Sequence, residues 1–117
     1  MPRAAIVVLE GTESASGLSR VVNAMEATRE FIDAGDDVVL IFDGAGTQWI
    51  RELEDESHKY SHLYDQVREE VSVCDYCANA FDVNDAVDEA GIERLDEYEG
   101  HPSIRSLVAD GYEVITF

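Results

Sequence analysis

Only two cysteines occur among the 117 residues, and they stand three apart in the stretch VSVCDYCANAF, residues 71–81. A thiolate is the reactive form of cysteine, and the free N–H groups and partial positive charge of a helix N-terminus lower a thiol pKa. With a strand ending at Cys74 and a helix starting near Cys77, both sulfurs would face that positive end. The spacing permits a disulfide, or attack by one sulfur on an adduct carried by the other. A second chemistry uses the same pair as metal ligands. His58 and His62 are four apart, so on a helix they share a face, and with Cys74 and Cys77 they make a zinc-type donor set. A third reading is inert: two buried cysteines packed as small hydrophobes. Spacing alone leaves all three open.

Other motifs carry less. GTESASG, residues 11–17, is Ser/Thr/Gly-rich like a flavin phosphate loop, but it runs on into Leu-Ser where a P-loop requires Lys-Ser/Thr. A receiver domain would need an acidic pair after the first strand and a lysine near the last, and Lys59 is the sole lysine. No serine triad can be assembled, and His101 reads as a local cap at a helix start.

The elements that would position the cysteines follow from hydrophobic periodicity. AAIVVLE (4–10), DVVLIFD (37–43), VSVCD (71–75) and YEVITF (112–117) read as strands, the first two buried on both faces. Between the first two, Leu18, Val21, Val22, Met25 and Ile32 recur at helical spacing, with Ser14 and Ser16 as cap candidates and Gly35 as the stop. Thr47 is expected to cap a helix carrying Trp49, Ile50 and Leu53. The polar EDESHKYS then kinks or splits that helix before Leu63, Tyr64 and Val67. Cys77–Ala90 reads as one helix or two, GIERLDEYEG as a fourth strand or a loop, and HPS (101–103) as the entry to a last helix. This alternation predicts an α/β fold: three layers, a mainly parallel sheet of four to five strands, helices on both faces, and one domain over residues 1–117. In such sheets ligands gather beyond the carboxyl ends of the strands, at a switch in strand order. The loops 11–17, 43–47 and 74–78 therefore matter, and the cysteines lie in the third.

Composition narrows the partners. Asp plus Glu total 26 against 8 Lys plus Arg, a net charge of −18, with 45% hydrophobic residues. That field repels nucleic acid and anionic membranes, and no apolar run is long enough to span a bilayer. The apolar runs exclude a disordered acidic chain. The acid clusters read as solvated faces suited to very high salt, where screening acts within about 3 Å. No signal peptide is read at MPRAAIVVLEG, so the chain is expected in the cytoplasm.

The order of these pieces resembles the DsrE/DsrF-like family. DVVLIFDGAG is similar to the family's second strand and glycine loop, VSVCDYCANAFDV to its third strand, cysteine and helix, and HPSIRSLVADGYEVITF to its closing helix and strand. The resemblance implies a flavodoxin-like topology and a sulfurtransferase-type carrier that holds sulfane sulfur as a persulfide. Cys74 stands where the TusD-like pattern has its reactive cysteine, and Cys77 matches the second cysteine of the YchN-like pattern, as a resolving or guarding thiol. Phe81 and Asp82 replace an Arg-Gly pair that often closes the motif. The resemblance further implies no cofactor, no resident metal, an unidentified sulfur donor or acceptor protein as partner, and a homotrimer or homohexamer. For the subunit contact the sequence offers Trp49, Tyr60, Leu63 and Tyr64. The alternatives remain a zinc-binding module and a non-catalytic oligomeric α/β protein.

Overall fold

The computed structural model describes residues 1–117. The first strand, β1 (Arg3–Val8), leads into helix α1 (Ala15–Asp33), whose N-terminus is capped by the Ser14 hydroxyl accepting from Gly17 N–H at 3.0 Å. The helix ends where Gly35 takes a φ of 78°, with Gly35 N–H bonding Ile32 O and Asp36 N–H bonding Phe31 O. That left-handed stop costs glycine nothing, so the chain can turn straight into β2 (Asp37–Phe42).

A 3₁₀ turn (Gly44–Gln48) and the short α2 (Trp49–Leu53) follow. The Asp43 carboxylate caps the turn; Thr47, expected to cap, instead donates to Gly44 O. The polar segment splits the helix as expected, and α3 (Ser61–Val67) resumes the apolar face before β3 (Val71–Cys74). The cysteine helix proves to be two: α4 (Asp75–Ala80) and α5 (Asn84–Ala90). The break falls at Asp82, whose φ of 56° cannot continue a helix. The ambiguous GIERLDEYEG contains a strand, β4 (Glu93–Leu95), and α6 (Ile104–Ala109) precedes β5 (Glu113–Thr116).

All five strands are parallel, in the order β4-β3-β2-β1-β5. The layered parallel architecture is the one expected, but the order differs from the 2-1-3-4-5 of flavodoxin. Alternate residues of the central strands (Ala4, Ile6 and Val8; Val38, Leu40 and Phe42; Val71 and Val73) point into one core with α1, α2, α3 and α5. The other face carries Ala5, Val7, Ile41, Ser72 and Cys74, all buried. Right-handed crossovers account for this asymmetry. Successive steps from β1 to β4 run one way and put their helices on one face. The return from β4 to β5 runs the other way and puts α6 on the opposite face.

Two expectations change here. Trp49 and Tyr64 are not free for a subunit contact, because they are fully packed into the core with Tyr60 and Leu63 against it. The exposed large apolar residues are instead Met1, Leu9, Tyr76, Phe81, Tyr98, Ile104, Val108 and Ile115. The strand order reverses at β1, between β2 and β5, so Cys74 sits at a carboxyl tip but two strands from the switch point.

Candidate functional site

Register brings the site together. Phe42 pairs with Val73, so Asp43, one residue further, lies level with Cys74. Cys74 ends β3 and caps α4, its sulfur accepting from Cys77 N–H at 3.4 Å. The Cys77 thiol reaches Asp43 Oδ1 at 3.4 Å, and Gly44 N–H donates to the same oxygen at 2.8 Å. From the far side comes a tight turn, Tyr98–His101, with Glu99 and Gly100 both at positive φ and mutual Tyr98–His101 backbone bonds. A bond from Tyr76 N–H to Gly100 O ties that turn to α4. The turn sets His101 Nδ1 at 3.3 Å from Cys74 Sγ, with the Tyr76 ring 4.8 Å from the imidazole.

The result is a four-member cluster, Asp43, Cys74, Cys77 and His101, whose ligand atoms all lie within 4.8 Å of one another. Both cysteines are free thiols and buried, while Asp43 and His101 are half-buried at the rim. The helix start does not lower the thiol pKa values. Burial, the neighbouring Cys77 side chain and the Asp43 charge push Cys74 up to about 12, against one stabilising backbone bond from Cys77. Burial also raises Cys77, although Cys74 and Gly44 N–H act against it. Desolvation of a sulfur anion outweighs the field of a single short helix.

His58 and His62 do not join the cysteines. His58 follows α2, accepts from Tyr60 N–H at 3.0 Å and meets the edge of Trp49. The donor set His58, His62, Cys74, Cys77 is therefore not assembled; the residues that lie beside the cysteines are Asp43 and His101. Sequence reasoning missed both. Asp43 had a signal, since it closes the apolar run of β2 inside a loop marked as functional. His101 had none beyond its place before Pro102, and it is Ser103, not His101, that caps α6.

Other hollows lie elsewhere. One of about 410 Å³, lined by Arg51, Glu54, Arg68 and Asp85 among others, holds no cysteine. Another of about 320 Å³ involves the GTESASG loop. There Thr12 N–H already bonds Gln48 Oε1 at 3.3 Å, so the Gln48 side chain stands where a phosphate would be cradled. No helix is long and apolar enough to cross a membrane.

The model of the DsrE/DsrF-like family matches residues 3–117. An uncharacterized protein of Methanocaldococcus jannaschii, MJ0733, is 27% identical over 86 residues, spanning 74% of this chain and 70% of that protein. A solved structure, the conserved protein of unknown function BT1422 from Bacteroides thetaiotaomicron, superposes with a TM-score of 0.65 at 12% identity, covering 97% of this chain and 94% of that one. That likeness concerns the fold.

Proposed function

Because this chain belongs to the DsrE/DsrF-like family, we propose that it is a sulfur carrier that holds sulfane sulfur as a persulfide on Cys74. The observation that carries the reading is the position of Cys74 Sγ at the tip of β3, against His101 Nδ1 and the Cys77 N–H. A donor persulfide, R–S–SH, gives up its outer sulfur. Cys74 Sγ attacks that sulfur, the donor S–S bond breaks, a Sγ–S bond forms, and the donor leaves as R–SH. The proton lost by Cys74 passes by way of His101 Nδ1 to the departing thiolate. No electrons are gained or lost overall.

Cys77 is the resolving thiol in this reading. Its attack on Cys74 Sγ expels the carried sulfur as hydrogen sulfide and leaves a Cys74–Cys77 disulfide, which a dithiol reductant reopens. The carrier works as one domain in the cytoplasm, where thiols stay reduced. Its partner is a sulfur donor or acceptor protein. It assembles as a homotrimer or homohexamer, and the exposed Ile104 and Val108, four apart on α6, favour burial against a second copy.

Intact-mass measurement after incubation with a sulfane-sulfur donor tests the carrier. The wild type should gain one sulfur atom that reductant removes. Cys74→Ser should gain none, and Cys77→Ser should load and keep the adduct longer. Normal loading of Cys74→Ser would assign the chemistry elsewhere.

A further inference from the structure

The donor atoms around Cys74 have a second property, set by distance and type rather than by reactivity. Two sulfurs, one imidazole nitrogen and one carboxylate oxygen lie within 4.8 Å of one another. A tetrahedral zinc ion holds sulfur at about 2.3 Å and nitrogen or oxygen at about 2.0–2.2 Å, so its donor–donor edges are roughly 3.3–3.8 Å. Two edges already have such lengths: Cys74 Sγ to His101 Nδ1 at 3.3 Å, and Cys77 Sγ to Asp43 Oδ1 at 3.4 Å. The remaining edges need to contract by at most about 1.5 Å to meet that geometry.

We propose that Cys74 Sγ, Cys77 Sγ, His101 Nδ1 and the Asp43 carboxylate form a zinc site. This goes beyond the sulfur reading and does not depend on it. Two thiolates with one imidazole select a borderline-soft cation, and four protein donors close a tetrahedron; the oxygen-rich sets preferred by calcium and magnesium are absent from the cluster. On binding, two Zn–S bonds form and the two thiol protons pass to solvent, with no change of oxidation state.

The supporting contacts are in place. Gly44 N–H fixes Asp43 Oδ1, Cys77 N–H points at Cys74 Sγ, and the Tyr76 ring lies beside the imidazole. The donors come from the end of β2, the end of β3, the first turn of α4 and the 98–101 turn. An ion would therefore join the sheet tips to the segment that crosses the second face. Asp43 and His101 are half-buried, so two of the four donors reach toward the surface.

Reduced, metal-free protein titrated with cobalt(II) in molar potassium chloride tests the site, the salt suppressing loose binding to surface carboxylates. The expected result is equimolar binding with the strong visible bands of tetrahedral cobalt and a near-ultraviolet thiolate-to-cobalt band, all bleached by equimolar zinc. His101→Ala and Asp43→Asn change rim residues that the core does not use, and thermal melts show whether they fold. Each should weaken zinc by at least the roughly 10–100-fold that loss of a supporting contact costs at such sites. A double His58→Ala/His62→Ala variant should bind as wild type. Pale octahedral cobalt without the thiolate band, unchanged affinity in a folded His101→Ala, or loss of binding in the His58/His62 variant would each overturn the proposal.

Discussion

Cys74 combines a reactive element with an unreactive setting. Its thiol is pushed up to about 12 from 9.0, burial being the first cause. The thiolate is the nucleophile, so near neutral pH the reactive fraction lies far below that of an ordinary cysteine. Alkylation of Cys74 in metal-free protein should therefore be far slower than that of an ordinary cysteine, and site-resolved mass labelling of the wild type measures it. Zinc and a carried sulfur also compete for one place, so equimolar zinc should suppress sulfur loading and a chelator should restore it. Asp82 offers a test of backbone strain. It stands where the resemblance implies a glycine and adopts a φ of 56°. Asp82→Gly should be neutral or stabilise by up to about 1 kcal/mol, and Asp82→Val should cost roughly 1–2 kcal/mol, read from denaturant midpoints. At this scale the sequence shows the cysteines and their spacing, since both are local. Asp43 and His101 reach them only through strand register and a turn closed by Gly100, which no local pattern encodes.

Among the elements, the end of α2 is tied to α3 by a part-buried polar contact. Tyr64 Oη donates to Glu54 Oε2 at 2.7 Å, and Arg68 binds the same carboxylate at 2.8 and 3.2 Å. Burial first, and then Glu54, raise the Tyr64 hydroxyl above its ordinary 10.0. The unfolded chain loses this proton near 10 and the folded one only later. The contribution to stability is therefore complete below about pH 10 and fades as pH rises toward the folded value. Tyr64→Phe should cost about 1–2 kcal/mol at neutral pH and flatten the alkaline loss of stability, measured by denaturation across pH. The 3₁₀ turn after β2 is equally constrained, because a Cβ on Gly46 would meet Val8 O at 2.1 Å. Gly46→Ala should cost roughly 1–3 kcal/mol. β1, β2, β3 and α1 were legible because each has one strong period or an unbroken apolar run. β4 was not, for its three residues include none that is buried. The division of α4 from α5 depends on the positive φ at Asp82, which an Asp does not advertise.

For the molecule as a whole, charge and apolar exposure point to the solution conditions. With a net charge of −18, self-repulsion acts over about 10 Å at 0.1 M salt and only about 3 Å at 1 M. The melting temperature should rise from dilute buffer to molar potassium chloride; a flat or falling series removes the high-salt reading. Light scattering in molar salt should give three or six times the 13.0 kDa chain, and Val108→Asp should reduce it toward one. The parallel α/β class follows from alternating strand and helix patterns, but the strand order does not. β4 and β5 are both short and poorly buried, which marks them as edges without saying which edge each takes. Their placement has a mechanical consequence. β1 and β5 are parallel neighbours, in register from Ala4 with Glu113 to Val7 with Thr116. A pull applied at residues 3 and 116 loads that pair lengthwise, so its hydrogen bonds must shear together instead of opening one by one. Force spectroscopy with handles at those two positions should therefore show a higher rupture force than pulling β4 sideways from β3, where the bonds unzip in sequence.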